Sequence, residues 1–267
     1  MKVKLILLIA CLTFVTLSGC GIFSKRYTKT ETQNFTVSAQ GKTKLKLDNI
    51  RGSVILTHSR DSGAILIKAS KEIKVKKKFL NTPFNEIGIR IDSAANIVSI
   101  TTELMSDDEE GVFRINMGRE QRVDYEIQVP SNVELEIENV SGNITTSGLD
   151  NDLKIDLVNG DVSLEEYTGR LECEITNGSF SGRIDSTRGI TVSTVNGSIS
   201  LYLNNFMNAD LRAETVNGRI TEDNLSFKEV IREKKLLKAK LGNGEPKIDI
   251  RVETVNGRIK FYGRNEV

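Results

Sequence analysis

The chain has 267 residues and carries 37 Lys+Arg against 36 Asp+Glu, which excludes the strongly basic footprint of a nucleic-acid binder. Trp is absent, and 21 Gly stand against 3 Pro, a composition suited to many tight turns between short strands. A chain of this length buries a large core, either as one elongated domain or as two compact ones.

Residues 1–19 read as a secretory signal peptide: Lys2 and Lys4, an apolar run from Val3 to Leu17, then small residues. The run is too short for a transmembrane helix, which needs about 20 apolar residues. Leu17-Ser18-Gly19-Cys20 resembles a bacterial lipobox, so Cys20 is the expected lipidation site. Acylation with a palmitate-type chain anchors a protein to a membrane without spanning it. Gly21 then favours the outer membrane if the cell is Gram-negative. Cys11 goes with the signal peptide and Cys20 is acylated, so Cys173 stands alone in the mature chain and no internal disulfide is expected.

Residues 20–34 are polar and basic and read as a tether. Residues 35–130 form an irregular β region, with strand-like alternation at Thr43 to Leu47, Ala64 to Ser70, Ile87 to Ile91, Ile97 to Thr101 and Val123 to Val129. Between these lie a basic run, Lys71 to Lys78, and an acidic one, Asp107 to Glu110. Both read as solvated strand edges or loops; as a site, the basic run would touch anionic head groups. The single histidine, His58, has no ligand-spaced partners around it.

Residues 131–267 repeat, continuously with the region before them. Corner glycines recur at Gly142, Gly160, Gly178, Gly197, Gly218 and Gly257, with an earlier copy at Gly52. The steps are 18, 18, 19, 21 and 39, a repeat period whose last step is doubled. Seven residues before each glycine stand Leu45, Leu135, Leu153, Leu171, Ile190, Leu211 and Ile250. Five before stand Leu47, Ile137, Ile155, Cys173, Val192, Ala213 and Val252. Cys173 therefore falls in an inward aliphatic column, as a small buried hydrophobe rather than a catalytic thiol.

Asn precedes the glycine at Asn159, Asn177, Asn196, Asn217 and Asn256. Asn-Gly tolerates positive φ and bends one strand into the next. These pairs read as the structural corners of an all-β solenoid or β-helix, built from units of 18–21 residues that share one core. The asparagines either form a ladder of side-chain hydrogen bonds or supply turn geometry alone. Ser226 to Gly242 is ambiguous: Ser226 and Glu229 suit a capping box and a short helical excursion near 226–235, whereas KLLKAKL also reads as a strand paired with KIDIRVE around the GNGEP turn. The expectation is mixed, an irregular excursion up to about Lys234 and strand over 236–241.

The run VDYEIQVPSNVELEIENVSGNIT, the successive V-N-G-x-I units and the closing KLGNGEPKIDIRVETVNGRIKF together resemble the DUF4097 family of candidate adhesins. The resemblance covers about Asp124 to Tyr262. It implies a β-solenoid in a bacterial envelope protein and no established catalytic residues.

A β-helix polysaccharide enzyme would stack carboxylates in one column on neighbouring coils. The column just after the glycine (Asn143, Asp161, Ser179, Ser198, Arg219, Arg258) holds one carboxylate. The column six before it (Glu136, Lys154, Glu172, Thr191, Arg212, Arg251) is mixed. Both read as solvated ladders, so neither an enzyme nor a cofactor is expected. The expected function is a non-catalytic, envelope-anchored scaffold or adhesin-like module with a protein partner, Arg212 and Arg251 marking a candidate interaction face. An uncapped end would allow end-to-end self-association. The alternative is a carbohydrate-active β-helix enzyme or glycan-binding protein.

Overall fold

The protein was analysed as a computed structural model, which describes residues 7–8, 14–16, 26–77, 87–104, 120–245 and 248–264. Cys20, most of the signal peptide and the acidic run Asp107 to Glu110 lie outside the described residues.

Strict alternation places each apolar residue of the repeat on one side of a strand, and the strands assemble into two long sheets with no helix among the described residues. Each coil contributes one strand to each sheet. The coils are β4 (Lys44–Arg51) with β5 (Val54–His58), β10 (Glu134–Ser141) with β11 (Ile144–Ser147), and β12 (Leu153–Asn159) with β13 (Val162–Tyr167). Next come β14 (Arg170–Asn177) with β15 (Phe180–Ile184), and β16 (Gly189–Asn196) with β17 (Ile199–Asn204). The last two are β18 (Ala209–Thr215) with β19 (Arg219–Asp223), and β22 (Ile248–Asn256) with β23 (Arg258–Arg264). Parallel pairing holds them in register: Leu45, Leu135, Leu153, Leu171 and Ile190 form one unbroken column, as do Leu47, Ile137, Ile155, Cys173 and Val192. All are buried in a single core. Cys173 is fully buried, and burial pushes its thiol pKa far up.

The coils do not stack in chain order. β22 pairs with β16 on one side and β18 on the other, and β23 lies between β17 and β19. The doubled step between Gly218 and Gly257 is thus a return: the chain builds the outer coil first and then inserts the next one inside it. The other end is inverted in the same way. β8 (Ile97–Leu104) and β9 (Glu120–Val129) follow β4 and β5 in sequence but lie outside them, each parallel to its neighbour.

Antiparallel strands cover both ends. β6 (Ala64–Lys76) pairs with β9 and with β3 (Arg26–Ser38), on which the short β1 (Leu7–Leu8) and β2 (Phe14–Thr16) also pair. β7 (Ile87–Ala94) covers β8. Residues 26–34, expected as tether, are therefore strand, paired residue by residue with β6. The solenoid also reaches back into the segment read as irregular, because β4, β5, β8 and β9 are coil strands. At the far end β21 (Leu236–Leu241) pairs antiparallel with β18 and with β20 (Phe227–Arg232). The strand over 236–241 is as expected, but the helix near 226–235 does not form. Val230 and Ile231 are exposed and offer no apolar helical face, and Glu229 takes a positive φ of 48° where the β20–β21 register shifts.

Candidate functional site

At the corners, the glycine is required by the neighbouring coil more than by its own dihedrals. A Cβ on Gly197 would stand 1.8 Å from the carbonyl oxygen of Gly178, and one on Gly257 1.8 Å from that of Gly197. Gly160 and Gly178 have positive φ, but Gly197, Gly218 and Gly257 do not, and none of the preceding asparagines does either. The Asn-Gly pair is therefore not a turn with both residues left-handed, as its sequence suggests.

The asparagines form a ladder instead: Asn177 Nδ2 donates to Asn159 Oδ1 at 3.1 Å, and Asn196 to Asn177 and Asn256 to Asn196 at 2.8 Å. Asn217 completes it on Asn256 at 2.9 Å. The next column is also bonded rather than merely solvated, since Asp161 Oδ1 accepts the Ser179 N–H at 2.8 Å and Asn143 Oδ1 that of Asp161 at 3.0 Å.

Beside this edge runs a groove of about 980 Å³, crossing every coil from β4 to β18. Its walls are two outward columns. Four residues before the corner glycine, in spatial order, stand Asp48, Glu138, Asp156, Glu174, Ser193, Glu253 and Glu214. Carboxylates thus do stack in one column, correcting the expectation that none does; the two columns considered from sequence are not the one that carries them. Two residues before the glycine stand Ile50, Val140, Val158, Thr176, Val195, Val255 and Val216, and the six aliphatics are 39–62% exposed. With Glu233 and Lys235, seven carboxylates and one lysine line the groove.

Few cations answer that charge. Lys46 bridges Glu138 at 2.7 Å and Asp48 at 3.5 Å, its pKa raised chiefly by the Glu138 hydrogen bond. Lys154 approaches Asp156 only to 3.9 Å, and Arg212 pairs with Glu214. Glu174 and Glu253 have no ion pair among the described residues. Asp156 is held above the ordinary aspartate range, first by burial and then by Glu174, Glu138 and Glu172, although Lys154 pulls the other way.

The other candidate residues do not line the groove, though Arg212 borders it through Glu214. Arg251 and Arg212 are neighbours in register, and Lys238 continues their row, so the candidate interaction face is a short cationic strip next to the carboxylate column. His58 Nδ1 lies 4.0 Å from Asp150, and among the described residues no three His, Cys, Asp or Glu side chains gather as a metal site. Tyr202 and Tyr262 stack on the opposite sheet, a pair hidden from the sequence because chain order puts another coil between them. The groove columns were readable in phase with the glycines, but acidic outward positions look like ordinary solvated faces.

Parallel coils wound about one core, with side-chain ladders along the corner, define a β-solenoid repeat protein. Within that class, the chain belongs to the Toastrack DUF4097 family, whose model matches residues 26–261. Its fold is similar to that of a candidate cell adhesion protein from Clostridium sporogenes (14% identity, TM-score 0.47, covering 88% of this chain and 100% of that one). It is also similar to a candidate adhesin from Bacteroides fragilis (13% identity, TM-score 0.33, 86% and 96%). A third is a candidate lipid binding protein from Parabacteroides distasonis (10% identity, TM-score 0.31, 86% and 96%). No curated protein matches the chain.

Proposed function

We propose that this protein is a non-catalytic, adhesin-like binding module of the bacterial cell envelope, anchored through a lipid on Cys20, that holds a protein partner along its groove. The observation that carries this reading is the row of exposed aliphatic side chains from Ile50 to Val216, interrupted at one coil by Thr176. A contiguous apolar strip on a folded surface marks an interaction site. Family membership and the adhesin names of the similar structures support it. A photo-crosslinking residue at Val158 should give one discrete protein adduct in native envelopes, and the same residue at Ser163 on the opposite sheet should give none. Equal labelling from both positions would sink the reading. The anchor is tested separately: Cys20→Ser should abolish detergent-phase partitioning, and a variant that partitions like the wild type would disprove lipidation there.

The carboxylate column favours one second reading, a carbohydrate-active β-helix enzyme using Asp156 and Glu174 as its acid and base. Polysaccharide cleavage lost in Asp156→Asn with Glu174→Gln would establish it, and no cleavage by the native protein would remove it.

A further inference from the structure

We propose that the occupant of the groove is a cationic amphipathic α-helix of the partner protein, lying along the solenoid axis. This rests on the reading of the groove as a docking surface and adds the chemistry and shape of what fills it. Two rows face the occupant at once: carboxylates at six of the seven stacked positions, and aliphatic side chains at six of the seven positions beside them. An occupant matching both must separate positive charge from apolar surface along its length.

Spacing selects the secondary structure. Coils repeat about every 4.8 Å along the axis. A helix presents the same face about every 5.4 Å, so each turn meets about one coil, and the mismatch over the groove stays below one turn. An extended chain presents the same face every ~6.7 Å and falls out of step within three coils. The seven coils span about 29 Å, the length of about 19 helical residues. Glu174 and Glu253, which no cation of the described chain neutralises, supply charge that an incoming Lys or Arg would pair, giving orientation as well as attraction.

The test uses the whole protein and a synthetic peptide of about 19 residues, with lysines on one helical flank and leucines on the other. Titration calorimetry should show saturable one-to-one binding, weakened by added salt, with circular dichroism reporting helix gained on binding. Glu174→Lys with Glu253→Lys should weaken binding by about tenfold or more, with the melting temperature of the variant checked to show that it folds. A charge reversal of Glu165 on the opposite sheet should leave binding unchanged. A same-composition peptide with charge and apolar residues scrambled should bind at least about tenfold more weakly.

The inference is overturned if the scrambled peptide binds equally, if an alternating Lys-Val extended peptide binds more tightly, or if the groove reversal has no effect. A discrete crosslink at Val158 alongside failed helix binding would overturn the helix while leaving the docking surface standing. Failure of both would remove both.

Discussion

Tyr202 and Tyr262 stack face to face, ring centroids 4.7 Å apart and planes inclined by 12°. They are in-register partners on β17 and β23, and the β18–β19 coil, which lies between them in sequence, is displaced to the outside. The stack therefore reports the order of the coils.

That order predicts a cross-linking pattern. With Ser200→Cys and Lys260→Cys, on adjacent strands, a short bifunctional thiol-alkylating reagent should link the pair quantitatively. With Ser200→Cys and Thr221→Cys, two coils and about 9.6 Å apart, it should not. Linkage of the second pair alone would mean that the coils stack in chain order.

Gly197→Ala should be costly because the new Cβ would meet backbone rather than a movable side chain, 1.8 Å from the Gly178 oxygen. Forced overpacking of this kind costs ~3 kcal/mol, a drop in melting temperature of about 6–12 °C for a chain of this size. Thr191→Ser, on the outward face of the same coil, should change it by less than about 2 °C. Equal shifts in a melting experiment would refute the close approach of the corners.

Asp156 sets a pH dependence. Its folded pKa lies above the ordinary aspartate value of 3.8, so the folded state holds the proton more tightly than the unfolded state. Stability from this group is complete below that value and declines as pH rises through the folded pKa. Asp156→Asn should therefore raise the melting temperature slightly at pH 7, and the gain should vanish near pH 3. A gain that grows on acidification would reverse the assignment.

The Cys173 thiol is fully buried, its pKa far above the usual range, so the reactive thiolate is scarce and inaccessible. In a Cys11→Ser, Cys20→Ser background a maleimide should leave Cys173 unmodified in the folded protein and label it fully in denaturant. Native labelling within minutes would show that the β14 coil opens freely.

Much of this architecture was legible because two periodicities coincide. Leu135, Leu153 and Leu171 recur at constant distance from a glycine, and the alternation around them has period two, so column and strand are read together. What could not be read is the insertion of β22 and β23. Gly218 and Gly257 sit in near-identical sequence, ETVNGRI in both, so no local signal marks which of the two coils pairs with β16 and β17. The corner chemistry was half legible: Asn-Gly marks a bend, yet only the adjacent coil's carbonyl explains why glycine is needed where φ is ordinary. The groove escaped because its charged wall resembles solvation until the neighbouring valines are seen to share its edge.

The inserted coil constrains how a nascent chain completes the fold. Residues 248–264 leave the ribosome after β18 to β21, the strands they join to the rest of both sheets. Until then the outer coil and its hairpin have no seat on β16 and β17 in the native register. The earlier coils can zip up one by one during synthesis, whereas this end must close in a single step, like a keystone set between blocks already cut. A stop codon before Ile248 would therefore open a gap inside the solenoid and release the outer coil, rather than trim its end.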